Sequence, residues 1–598
     1  MSEIRVDTIS EKTSANGVAV DGVTLKDGNV GAAGTATSVA GIPLFTADNS
    51  IYTHDVSGTD STASSNAAYG LTALDAITTG DSNVAVGYGA GGAVTTGNKN
   101  TFVGASSGLG TTTADFNTGV GMLALTANTE GANNTGVGLQ ALANNSTASN
   151  NTAVGFQALL SNSTGEVNSA FGSLALAANT VGFGNTAVGR STLAANITGD
   201  NNVALGHQAL DNADAENNNL AIGRDALGGA INGGEFNVAI GNYSLDALTS
   251  GDKNTAVGYN AGSDLTTGSE NTAMGESALA ANTTASYNTA VGHTALAANT
   301  EGAANTAVGR DALEANLTGS NNTAVGYDAL EANTSASNNT ALGHAAMKGN
   351  TTGDKNVAVG VDALKVSDTA SNNTAVGHKA SDAMTSGNAN TAIGDEALTD
   401  CTSGAGNTAL GAVAGDNLTT GGQNLFLGQD TKVSTGAGSY QFVIGHNVTG
   451  AGNSTTTIGY DTTEIATNHG SASWAAVSDE RYKKDITDST AGLAFIDDLR
   501  PVTFKFKQKN ELATDIYGYD ANSIDTDGYT DEVAHGFIAQ EIKAVLDNHP
   551  EIKAGQEIWK QGADEKSNRQ SVSHIGMIPM LVKAIQELSA KVKALEEA

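Results

Sequence analysis

Ser478 and Lys483, five places apart in the stretch VSDERYKKDI, have more capacity for chemistry than any other pair in this chain. A serine hydroxyl at neutral pH needs a base before it can attack, and a lysine stripped of water can be neutral and serve as one. Read as residues alone, the stretch fits a simpler role equally well, with Ser478-Asp479 capping a turn. Elsewhere the candidates are sparse. His207, His293, His344, His378 and His446 could meet at a threefold axis and hold a metal, but no ligand motif accompanies them, so no metal is expected. Cys401 is the only cysteine, which rules out an intramolecular disulfide and reads as a small packed residue. GYGAGG at 87–92 has the glycines of a phosphate loop, but it sits inside a repeat frame, and no cofactor is expected.

That frame dominates the chain. A glycine preceded by an apolar residue recurs from Gly70 to Gly223 in steps of 17, slips by one residue, and resumes from Gly241 to Gly445. Four places before it stands Asn, from Asn66 to Asn424, with Gln441 last; an amide at one point of every coil reads as a stacked ladder. One place before it the residue is large and apolar (Val86, Phe171, Ile222, Met274, Ile444), and two places before it is usually Ala. Alternation along a strand puts these two on opposite faces. The large residue is expected in a core, and the alanines, such as Ala256, Ala307 and Ala324, against a neighbouring chain.

Four places after the glycine stands Leu (Leu142, Leu296, Leu330), and seven places after stands Asn in many coils (Asn145, Asn299, Asn333). Where the first column loses its Leu, the second often gains an apolar residue: Gly91 goes with Val94, Gly262 with Leu265, Ser381 with Met384, Gly415 with Leu418. Gly108 with Thr111 is an exception. Columns that trade volume share a pocket, and a spacing of three predicts a turn of α- or 3₁₀-helix, with Asp311, Asp328 and Asp362 at its start. The histidines join Tyr88, Tyr327, Arg190 and Arg310 in the column just after the glycine, a polar surface stripe. The fold class predicted is mainly β: a trimeric parallel β-solenoid shaft of 17-residue repeats, followed by a C-terminal α+β domain that ends in a coiled-coil helix. At about 4.8 Å per coil the stack is about 110 Å long.

Composition agrees. The 598 residues include 74 glycines and only 5% aromatics, with hydrophobics at 39%, too many for a disordered chain. Net charge is −34 and no basic stripe exists, which excludes a nucleic-acid partner. The first residues, MSEIRVDTISEK, carry no signal peptide, and no run is apolar enough for membrane insertion, so synthesis in a cytoplasm is expected. Residues 1–65 precede the register and hold a hairpin pattern across Asp21-Gly22. They resemble the N-terminal regions of marine phage tail fibres and read as an attachment or capping segment. The shaft spans 66–460, a linker 461–477, and the last domain 478–598.

That domain changes character: mixed charge, few glycines, helical patterns. GLAFIDDLRPVTFKF reads as a helix, a turn at Arg500-Pro501 and a strand; HGFIAQEI as a strand edge entering a helix. Ile578, Leu581, Ile585, Leu588, Val592 and Leu595 form a heptad seam. With SDERYKKDI and IPMLVKAIQEL, these motifs stand in the order found in the intramolecular chaperone domain of phage tail spikes and fibres, including endosialidases, which 478–598 resembles. Tyr482 stands where that family usually has Leu. The resemblance implies a domain that assembles trimers and then cuts itself off, with Ser478 as nucleophile, Lys483 as base and the cut between Val477 and Ser478. The shaft loosely resembles the head repeats of trimeric autotransporter adhesins.

The function expected is a homotrimeric phage tail fibre in the virion. Its partners would be tail or baseplate proteins at the N-terminus and a host-surface glycan or protein. No turnover enzyme is expected beyond a single autoproteolytic event. Two alternatives remain, a bacterial trimeric surface adhesin and a tail-spike polysaccharide depolymerase. The second needs paired carboxylates in a groove, for which the even repeat leaves no inserted domain.

Overall fold

The computed structural model describes residues 62–461 throughout and, of the rest, 18–20, 23–25, 37–39, 42–47, 50–52, 463–469, 475–476, 486–505, 533–550, 552, 558–561 and 570–598. The chain divides into two compact units, 1–477 and 478–598.

The first unit is a parallel β-solenoid of about 23 turns with 17-residue repeats. Each coil contributes one three-residue strand, such as Thr135–Val137, paired in parallel with the same strand 17 residues before and after. The sheet runs unbroken from Ser50–Tyr52 to Thr455–Tyr460. Antiparallel strands close both ends: Ile42–Ala47 on the first, Thr463–Asn468 on the last. The second of these lies in the segment read as a linker. The expected N-terminal hairpin is present as Val18–Val20 with Val23–Leu25.

The strand faces are the reverse of the expectation. The alanines face inward: Ala256, Ala307 and Ala324 are fully buried within their own coil. The large residue beside each is turned outward, with Val86, Ile393 and Leu342 at 38%, 38% and 48% exposed. The reason is the thinness of the coil. At Gly136, which replaces the inward alanine, an added Cβ would meet the Ala141 carbonyl oxygen at 3.1 Å and Leu125 Cγ at 3.4 Å. The strand lies against the opposite turn with room for one methyl, and the leucine column supplies the bulk of the core.

The turn is not helical either. In the coil of Gly138, Asn133, Gln140 and Leu142 have φ of 59°, 57° and 52°, and Gly138 itself 136°. Alternating left- and right-handed residues aim successive peptide groups up and down the stack. The Gln140 N–H donates to the Met122 carbonyl of the coil before, and the Leu142 N–H to the Ala158 carbonyl of the coil after, both at 3.0 Å. The spacing of three is real, because the Asn145 N–H donates back to the Leu142 carbonyl at 3.2 Å. Asp311, Asp328 and Asp362 occupy a left-handed position (φ 55–57°), which tolerates Asp and Asn better than most residues, rather than a helix start. The glycine is obligatory on two counts: its φ, and a Cβ that would fall on the carbonyl oxygen of the next glycine in the stack.

Both asparagine columns are buried ladders. In the first, Asn134 Oδ1 accepts the Asn151 N–H at 2.9 Å, and Asn134 Nδ2 donates to the Ala148 carbonyl at 2.8 Å. In the second, Asn162 Nδ2 donates to Asn145 Oδ1 at 2.7 Å. Val94, Leu265, Met384 and Leu418 are buried where the leucine is missing, so the two columns do share a pocket. The exception at Gly108 has its own explanation: Phe102 stands where an inward alanine is usual, and its ring occupies the space a side chain at Gly108 would need. The one-residue slip is absorbed by Glu216, whose buried carboxylate accepts the N–H groups of Asp214, Ala215 and Gly233 at 3.0, 3.1 and 2.8 Å. Cys401 is buried in the second column, and burial pushes its thiol up to about 11.

The second unit is α+β. Its described elements include three helices, α1 (Leu493–Asp498), α2 (Ala539–Asn548) and α3 (Ile578–Glu596). Two antiparallel strand pairs accompany them, Val502–Phe504 with Ala534–Gly536 and Trp559–Gln561 with Gln570–Val572. Among the described residues no helix is long and apolar enough to cross a membrane.

Candidate functional site

The second unit is organised around a small core of Ala491, Phe495, Ile542, Ile552, Ile558 and Met577. Three of the motifs singled out in the sequence converge there. α1 comes from LAFIDD, α2 from the run after HGFI, and α3 from IPMLVKAIQEL.

Polar contacts fix how these elements meet. α1 has no side-chain cap of its own. Glu587, on α3, supplies one from a distance, accepting the Leu493 N–H at 2.9 Å with Oε2. A negative carboxylate suits the positive end of a helix. Gly492 is needed for this approach, since a Cβ there would meet the Glu587 carboxylate. Arg500 leaves α1 and grips Glu541 in the first turn of α2 with both Nε, at 2.9 Å, and Nη2. The guanidinium holds the Glu541 carboxyl below its ordinary value. At the other end of α2, His549 Nε2 lies 2.8 Å from Asp498 Oδ2, with its ring edge-on to Phe495 at 5.5 Å between centroids. Glu587, Glu541 and His549 were not singled out by sequence reasoning. Glu587 sits inside a heptad pattern, where a glutamate ordinarily reads as a solvated flank.

A cleft of about 470 Å³ lies beside the first strand pair, lined by Pro501, Val502, Thr503, His535, Gly536, Phe537 and His574.

α3 has two faces. On one, Ala584 is buried and Met580 packs against the core of the unit, to which Met577, just before the helix, belongs. The heptad seam points away from that core: Ile578, Leu581, Ile585, Leu588, Val592 and Leu595 are all exposed, Leu595 at 79%. Val477, Ser478 and Lys483, the candidate cleavage residues, lie outside the described residues. Among the described residues no three His, Cys, Asp or Glu side chains gather as metal ligands.

Residues 478–549 match the model of a peptidase-type family described as the chaperone of endosialidase. The match begins at Ser478, the first residue of the second compact unit. No curated protein and no solved structure matches the chain. A β-solenoid followed by a chaperone-of-endosialidase domain fits a protein of the phage tail fibre or tail spike type.

Proposed function

We propose that this chain is the shaft subunit of a phage tail fibre. Three copies would be aligned and wound by the C-terminal unit, which then releases itself by cleavage between Val477 and Ser478. The observation that carries the reading is the family match to 478–549, placed directly after a run of nearly identical coils. Such coils pose a register problem, because a chain displaced by one coil still meets its partners with almost the same residues. A unit that associates first, through the open seam of α3, aligns the chains at one end. Winding then proceeds coil by coil, and removal of the unit takes away the nucleus for unwinding and traps the product kinetically. In the cut, Lys483 would take the proton from Ser478 Oγ as it attacks the carbonyl carbon of Val477. The Val477–Ser478 C–N bond then breaks as the proton passes to the Ser478 nitrogen, and water hydrolyses the resulting ester, leaving a carboxylate on Val477 and the hydroxyl restored on Ser478. The fibre would act in the virion, with residues 1–65 toward the tail and the shaft toward a host-surface glycan or protein.

Expression of the wild type beside Ser478→Ala and Lys483→Ala tests the reading. Two fragments from the wild type, 1–477 and 478–598, and one intact chain from each variant are expected. An uncut wild-type chain in assembled oligomers would end the proteolytic part. A monomer by sedimentation would end the assembly part.

A further inference from the structure

The strand face that the structure turns outward has no partner among the described residues of its own chain. In each coil it presents the residues three and one places before the glycine, typically Thr and Val, with Val84 at 37% and Val308 at 37% exposed. Larger side chains occur in the same column, Phe171 at 42% and Met274 at 44%. Two residues per coil, two places apart, over about 110 Å of stack give a stripe on the order of 700 Å². A stable interface takes about 800 Å² per partner, which the stripe approaches, about half of it the apolar column and half mostly threonine.

A second observation concerns the column beside the stripe, one place after the glycine. Every arginine and every histidine between residues 66 and 460 lies in it: three arginines and five histidines. Six of the eight are exposed, as Arg224 at 61%, and His207 and His446 are half-buried; they recur along the shaft in one column. Arg310 lies 5.5 Å over the Tyr327 ring, which stacks on His344 at 5.4 Å. An apolar strip edged by arginine and tyrosine has the composition of a protein–protein interface, with an apolar centre and a polar rim.

The geometry points to this face as the surface on which copies of the shaft meet, like face to like face and in parallel about a common axis. The occupant is a second copy because the stripe repeats at the coil spacing itself. A partner must have the same pitch to stay in step over about 23 coils, and another copy of this chain has it. The assignment rests on the self-assembling shaft proposed above and replaces the alanine faces as its contact.

Single cysteines in the full-length chain, in a Cys401→Ser background, test it with a short bis-maleimide cross-linker. Val308→Cys, on the stripe, is expected to give at least tenfold more cross-linked pairs on a denaturing gel than Glu301→Cys, on an exposed bend away from the strand. Cross-links at Glu301→Cys, or none at Val308→Cys, in a chain that sediments as an oligomer would overturn the face while leaving self-assembly intact. A chain that sediments as a monomer overturns both. As a second arm, the triple variant Val291→Lys, Val308→Lys, Val325→Lys is expected to keep its β circular dichroism and lose the oligomer. An oligomer that survives all three lysines overturns the proposal, and if the triple variant does not fold, the cross-linking result decides.

Discussion

The two units solve the same problem by opposite means. In the shaft nearly every coil pairs its backbone and its buried amides with copies of itself, Asn117 Nδ2, Asn196 Oδ1 and Asn350 Oδ1 being exceptions, so almost any contact could be exchanged for the one 17 residues away. In the C-terminal unit each contact is particular: Glu587 caps α1, Arg500 holds Glu541, and His549 meets Asp498. Repetition gives length with little positional information. The tail holds that information in a few dozen residues, which is the physical case for building the first with the second.

Three experiments break or sharpen this contrast. The largest effect is expected from Ala324→Arg. The site is fully buried and has room for one methyl, so an unpartnered guanidinium there costs roughly 3–5 kcal/mol. In a stack of nearest-neighbour coils the damage stays local. Limited proteolysis should cut near that coil while α1–α3 keep their protection; cutting spread evenly along the shaft would show that the coils are not independent.

Gly108→Leu comes next. It restores the shaft consensus yet collides with Phe102, and overpacking costs about 1–3 kcal/mol. The double variant with Phe102→Ala recovers the consensus at both columns and should recover most of the lost melting temperature. Additive losses would mean that the two columns do not share one pocket.

Smallest is an opposite response to acid. Burial raises the carboxyls of Asp211, Asp246, Asp382 and Asp416, all in the column five places after the glycine. A carboxyl raised in the folded state binds its proton more tightly there than when unfolded. Its favourable contribution is complete below the unfolded value, about 3.9, and is lost as pH rises through the folded one. Glu541 is lowered by Arg500, so its contribution is present above its unfolded value, about 4.3, and is lost as pH falls through the folded one. Between pH 7 and pH 3, opening measured by hydrogen exchange, after division by the intrinsic chemical rate at each pH, should slow in the shaft and quicken around α2. Slowing in both, or quickening in both, would refute the assignment.

Much of this was legible in the sequence. The repeat length, the glycine and asparagine columns, the shared pocket and the helix–turn–strand order of the tail follow from spacing, because spacing is what a stacked coil repeats. The side-chain faces were not legible. Ranking Val above Ala as a core residue presumes an interior large enough for either, and a 17-residue coil has room for one leucine and little more. Nor was the turn: a spacing of three fits a helix, and it fits equally a turn in which Leu142 at φ 52° accepts from Asn145. The candidate site was readable only as motif order. Ser478 and Lys483 give no pattern of their own, and the carboxylate of Glu587 meets α1 from 94 positions further along the chain.

The stacking of one coil on the next also has a mechanical meaning. Pulled from its two ends, a lone chain would come apart as a spring peeled from its tip, one loop at a time. Each loop of 17 residues would release about 55 Å of thread, with a load set by a single coil rather than by the whole column. Chains joined side by side along their strand faces would share that load, so the strength of the rod would reside in its lateral bonds and its length in its axial ones.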